Sequence, residues 1–271
     1  MDRNTTKLAE LLAQHLPNDK RHKRSAPCCA MVMFNKEGYT PMHACVVEAD
    51  TPDRMLRILL QSKTAKKACI LPTQRTERSP SSFGSTPLHL ALARQITHET
   101  QGIIEALVDT APNACMVQDH IGQVPLAVAL QNRDVNSTHL KLLIKRCPEA
   151  VDIPRHDKFC PIHLALQSAH VENTVCRTLL QAHGNADKTT IMLMQVTEFG
   201  DTPLHLACKR PGASKSLIQL LLVHFHGAKF FRNHKGELPS DICQKVNPQL
   251  LEEIPHMGAS NNTEDEDKSI Q

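Results

Sequence analysis

Thr86-Pro87-Leu88-His89-Leu90-Ala91 recurs without a change as Thr202-Pro203-Leu204-His205-Leu206-Ala207, and four further segments align on the same proline. These are Gly38-Tyr39-Thr40-Pro41-Met42-His43-Ala44-Cys45, Gly122-Gln123-Val124-Pro125-Leu126-Ala127-Val128-Ala129, Lys158-Phe159-Cys160-Pro161-Ile162-His163-Leu164-Ala165 and Gly236-Glu237-Leu238-Pro239-Ser240-Asp241-Ile242-Cys243. Chance does not produce such a series, and a fixed unit repeated along a chain means a repeat architecture.

The chemistry of one unit can be read directly. A glycine permits the turn, a threonine hydroxyl serves the first free N–H groups of a helix, and a proline at the first helical position gives up an N–H that lacks a partner there. Each segment therefore opens a helix. The Leu, Met or Ile after the proline and the Ala or Cys four residues after it share one face, and the small residue lets a neighbouring helix come close. A second apolar run follows each start at helical spacing: Met55–Leu60, Ile103–Val108, Leu140–Ile144, Val175–Leu180, Leu217–Leu222 and Leu250–Ile254. The unit is helix, turn, helix.

These residues resemble the ankyrin repeat, whose hallmark is T-P-L-H-x-A in a unit of about 33 residues. The resemblance runs over residues 35–257 and implies an all-α ankyrin-repeat solenoid of about six helix-turn-helix repeats with long inter-repeat loops. Thr40, Pro41, His43, Thr86, Pro87, His89, Pro125, Pro161, His163, Thr202, Pro203, His205 and Pro239 form its structural motif. It implies that each motif histidine ties the turn of one repeat to its neighbour. Val124 and Cys160 stand where the capping threonine is usual, Ala127 where the histidine is, and Lys158 where the glycine is; these are expected to be weaker starts. Leu238, Ser240 and Asp241 depart further, as suits a terminal repeat acting as C-terminal cap.

The distances from Pro41 to Pro87 and from Pro161 to Pro203 are the longest, so extra residues are expected at 62–83 and 183–199. The first stretch carries Lys63, Lys66, Lys67, Arg75 and Arg78 against Glu77 and reads as a solvated loop or a basic finger for an acidic partner. Ser79-Pro80 within it is a candidate phosphorylation site. The second, with Ile191, Met192, Leu193, Met194 and Val196, predicts an extended hairpin that either packs against its own domain or offers Met192 and Met194 as an adaptable contact surface. Residues 1–17 predict an N-terminal capping helix, 18–34 a basic linker with a cluster at 20–24, and 258–271 a disordered acidic tail.

Composition narrows the function. Of 271 residues, 41% are hydrophobic but only 3% aromatic, which fits a core one side chain deep better than a thick one. A net charge of +3 argues against a strongly basic nucleic-acid binder, and no apolar stretch is long enough for membrane insertion. The ten cysteines sit mostly among aliphatic residues and read as reduced core positions, which places the chain in a reducing compartment, cytoplasmic or nuclear. No C-x-x-C, phosphate loop, nucleophile elbow or H-E-x-x-H is present. The expectation is a non-enzymatic protein–protein interaction scaffold or adaptor without cofactors, binding through loop tips and the concave inner-helix face. A nuclear adaptor using residues 20–24, and an enzyme or metal protein with an unrecognised Cys/His site, are the alternatives. Metal analysis of the purified chain is expected to find no stoichiometric zinc; stoichiometric zinc would remove the pure-scaffold reading.

Overall fold

The structure, a computed structural model, describes residues 31–47, 53–74, 83–94, 98–182 and 184–254. The expectations placed on residues 1–17, the basic cluster at 20–24, Arg75, Arg78, Ser79 and the tail at 258–271 lie outside them.

Each expected start opens a helix. The inner helices are α1 (Pro41–Val47), α4 (Pro87–Ala93), α6 (Pro125–Gln131), α8 (Pro161–Gln167), α11 (Pro203–Lys209) and α13 (Pro239–Val246). They alternate with outer helices α2 (Asp53–Leu60), α5 (His98–Thr110), α7 (Ser137–Arg146), α9 (Asn173–Gln181) and α12 (Lys215–His224). Inner helices pack on inner and outer on outer in chain order, which makes a two-layered stack of repeats. In the sixth repeat a 3-10 helix, Pro248–Glu253, stands in place of an outer α-helix and packs on α12 and α13. Leu250 and Ile254 are its buried anchors.

The interior is aliphatic. Met42, Leu56, Leu88, Ile104, Leu126 and Ile162 are among the largest fully enclosed side chains, and Phe159 is the one Phe or Tyr among the buried residues described. After α5, α7 and α12 a single 3-10 turn closes the repeat, Pro112–Met116, Pro148–Asp152 and His226–Phe230, each burying one alanine: Ala114, Ala150 or Ala228.

Repeats 1 and 4 do otherwise, and here two expectations are corrected. Residues 62–83 are not simply loop: α3 (Ala65–Ile70) buries Ala65, Ala68 and Cys69 against α2, α4 and α5. Residues 183–199 form no extended hairpin but α10 (Ala186–Met194). Its β-branched residues were misleading because their hydroxyls find partners that only the folded stack supplies. Thr189 Oγ1 donates to the Leu180 carbonyl at 2.9 Å, and Thr190 Oγ1 donates to the carbonyls of Ala186 and His224, each at 2.9 Å. Asn185 Oδ1 caps the helix by accepting from the N–H groups of Asp187 (2.8 Å) and Lys188 (3.3 Å). Tertiary hydrogen bonds override the strand preference of the sequence.

The turn glycines serve both conformation and space. Gly84 has φ +82°, and a Cβ there would lie 2.7 Å from the backbone nitrogen of His120 in the next turn. Lys158 occupies the same left-handed region at φ 66°, which costs an L-residue about 1–2 kcal/mol. Replacing Lys158 by Gly is expected to stabilise the protein by roughly 0.5–1 kcal/mol after the greater freedom of unfolded glycine is offset. Gly84→Ala is expected to destabilise it by about 2 kcal/mol or more, both read from urea unfolding midpoints.

Candidate functional site

The stack presents two surfaces, the turn tips and the exposed edge of the inner helices, and both are set by the bonds that hold turn to turn. In repeat 2 the N–H of Thr86 donates to His89 Nδ1 at 3.1 Å, with the Thr86 hydroxyl 2.7 Å from the same nitrogen. A nitrogen that accepts cannot carry the proton, so the proton is on Nε2, which donates to the Gln123 carbonyl of the next turn at 2.9 Å. His43 reaches Ser85 at 3.0 Å and His205 reaches Glu237 at 3.1 Å in the same way. His163 accepts from the Cys160 N–H at 3.1 Å but donates to Gln195, the residue ending α10, at 3.1 Å. The extra helix takes the place of the turn carbonyl.

The exceptions have substitutes. Ala127 cannot reach repeat 4; Gln118 Nε2 instead donates to the carbonyls of Gly122 (2.9 Å) and Pro154 (3.1 Å). In repeat 6, the last described, Asp241 keeps only the inward half of the device, accepting from the Leu238 N–H at 2.8 Å.

A second set of ties escaped the sequence reading. The residue just past four of the inner helices reaches back to the preceding inner helix: Arg94 to the Val46 carbonyl, Asn132 to those of Leu92 (2.6 Å) and Arg94 (2.7 Å), Asn247 to those of Cys208 (2.6 Å) and Arg210 (3.1 Å). Arg210, buried, donates to Ala165 at 3.2 Å and to Val171. Ser168, the counterpart in repeat 4, makes no such bond, so repeats 3 and 4 meet without either tie. The signal was available, since Arg94, Asn132 and Arg210 each stand seven residues beyond the motif proline.

Burial lowers the pKa of His89 and His205, and takes that of His163 down to about 4. These rings are neutral and cross-link the fold rather than do acid–base chemistry. Burial likewise pushes the Cys69 and Cys160 thiols up to about 12, away from the nucleophilic thiolate. Among the described residues, no group of three or more His, Cys, Asp and Glu is placed to hold a metal ion.

The sequence-predicted contact residues fare differently. Lys63 is exposed, and Lys66 and Lys67 face solvent on α3, opposite its buried alanines. Met194 is exposed, but Met192 is buried beneath α10, so it supplies no free contact surface; helical spacing turns it inward. On the inner helices α1, α4, α6, α8 and α11 all but the last residue is enclosed or nearly so, which leaves one row: Val47, Ala93, Gln131, Gln167 and Lys209. Lys209 Nζ pairs at 2.5 Å with the buried carboxylate of Asp201, which also accepts from Asn233 Nδ2 at 3.0 Å. Beside that pair, Phe159, Leu166, Phe199, Leu206 and Pro211 line a groove of about 300 Å³ between repeats 4 and 5.

This geometry is that of the ankyrin-repeat fold. Residues 199–234 match the ankyrin repeat family, and the fold is shared with solved ankyrin-repeat structures. The ankyrin repeat domain of Bcl-3, a member of the IkappaB protein family, superposes with a TM-score of 0.61 at 18% identity, covering 92% of this chain and 94% of that one. The ankyrin repeat protein EF0377 gives 0.59 at 16%, covering 82% and 98%. A chain from the complex of the Bdellovibrio bacteriovorus predatory endopeptidase Bd0816 with immunity protein Bd3460 gives 0.54 at 15%, covering 79% and 95%. No curated protein matches in sequence. Ankyrin repeats are in general protein–protein interaction modules, and among the described residues no helix is long and apolar enough to cross a membrane.

The histidine ties make stability depend on pH with a definite sign. Because the folded pKa values lie below the ordinary 6.5, the unfolded chain binds protons first, and stability falls as pH drops from about 6.5 toward 4. Thermal melts are expected to move down steadily across that window. His89→Ala, which orphans the Thr86 N–H and the Gln123 carbonyl, is expected to cost about 2–3 kcal/mol and flatten the dependence.

Proposed function

We propose that the chain is a non-enzymatic interaction scaffold or adaptor that binds other proteins through its turn tips and inner-helix face. The observation that supports this most is the row Val47, Ala93, Gln131, Gln167 and Lys209, one side chain per repeat on helices otherwise enclosed. A row spaced by rigid repeats offers chemically varied contacts at fixed positions, so little ordering entropy is lost on binding. The lysines on α3 add a basic site at one end, suited to an acidic partner. The fold is typically non-catalytic, and the neutral bridging histidines and raised thiols agree with that. A reducing compartment, cytosol or nucleus, suits the eight free, buried cysteines described.

Affinity capture with the full chain tests the reading. The double variant Gln131→Arg, Gln167→Arg is expected to lose partners retained by the parent, with its melting temperature unchanged within about 2 °C, since both residues are exposed. Identical partner lists would count against the inner-helix face. Lys66→Glu with Lys67→Glu tests the basic site in the same way.

A further inference from the structure

Rings are scarce in this chain, seven Phe and one Tyr, yet they are exposed where the fifth repeat passes into the sixth. Phe230 is 48% and Phe231 38% exposed, and Phe199 on the neighbouring turn is 57% exposed. The two turns are joined directly, the His234 N–H donating to the Phe199 carbonyl at 3.0 Å. Cations accompany the rings. Lys229 Nζ lies 4.9 Å over the Phe230 ring, and Arg232 and Lys235 follow, both exposed. The carboxylates of Glu237 and Asp201 on the same turns are already engaged by Lys245 and Lys209; Glu198 is the one exposed carboxylate beside Phe199.

The turn is also rigid. Asn233 Oδ1 accepts from the N–H groups of Lys235 and Glu237, each at 3.0 Å, and Arg232 donates to the Gly236 carbonyl at 2.5 Å. Phe231 leans edge-on against Phe225 with centroids 5.5 Å apart, which fixes one ring and leaves Phe230 with the Lys229 ammonium over it. Exposed rings cost hydration free energy, and cations placed around them favour anions over other partners.

We infer that Phe199, Phe230, Arg232 and Lys235 form a docking site for an acidic polypeptide segment carrying bulky apolar side chains. The inference rests on the protein-binding reading above and names the chemistry of one partner. The acids meet Arg232, Lys235 and Lys229, while a Leu or Phe of the partner lies against Phe230 and Phe199.

The probe is a fluorescein-labelled peptide alternating Asp or Glu with Leu and Phe, titrated with the full chain by anisotropy. Binding is expected to weaken roughly tenfold in Lys235→Glu and in Phe230→Ser, to weaken further in Arg232→Glu with Lys235→Glu, and to fall with added salt. A peptide with Asn and Gln in place of the acids is expected to bind roughly tenfold more weakly. Equal binding by these variants, with unchanged melts, overturns the site, as does equal binding of the neutral peptide. Tighter binding of oligo-dT or of phosphatidylserine vesicles would assign the patch to nucleic acid or membrane instead, and equal binding of a synthetic 258–271 peptide would assign it to the chain's own acidic end. Loss of the site with capture still sensitive to Gln131 and Gln167 leaves the wider protein-binding reading standing.

Discussion

Everything in this molecule depends on an imidazole with one proton and two neighbours. A carbonyl in a turn and an N–H at a helix start, in adjacent repeats, are both buried and both need a partner. A neutral histidine is the side chain that can accept at one nitrogen and donate at the other over the distance between them. His43, His89 and His205 therefore set the offset between successive turns, and hence the line along which turn tips and inner helices present themselves. Where the device is lost, its replacement shows what it did: Gln118 supplies the missing donor, and Asp241 keeps the acceptor in the last described repeat.

The repeated helix starts were legible because they rest on local chemistry: a turn glycine, a cap, a proline and a small residue one helical turn on. The nature of the long insertions was not. Thr189 and Thr190 favour a strand by local propensity, and the Leu180 and His224 carbonyls that satisfy them in a helix belong to other elements. The same distance hid the back-ties of Arg94, Asn132 and Arg210. Taken singly, each is an ordinary residue after a helix, and only stacking reveals the carbonyls within its reach. Of the proposed contact residues, exposure of Lys66 and Lys67 followed from their charge, whereas the burial of Met192 followed from a helical register that the strand assignment had missed.

The shortage of aromatic residues has two sides. Layers one side chain deep are filled by Leu, Ile, Ala and Cys, so the interior needs few rings. Among the Phe and Tyr rings, the exposed Phe199, Phe230 and Phe231 lie at the fifth and sixth repeats beside cations. In a protein built from near-identical units, the departures from the repeat locate the places with a separate task.

One such departure bears on how the stack holds under load. Ala127 and Ser168 remove both kinds of tie at the same junction, so the third and fourth repeats are joined mainly by apolar packing and by Gln118 and His156. In a linear array, cooperativity is only as good as the weakest nearest-neighbour coupling. At this junction, then, the coupling between neighbours rests on side-chain packing and on turn-to-turn bonds rather than on the two polar ties used elsewhere in the stack.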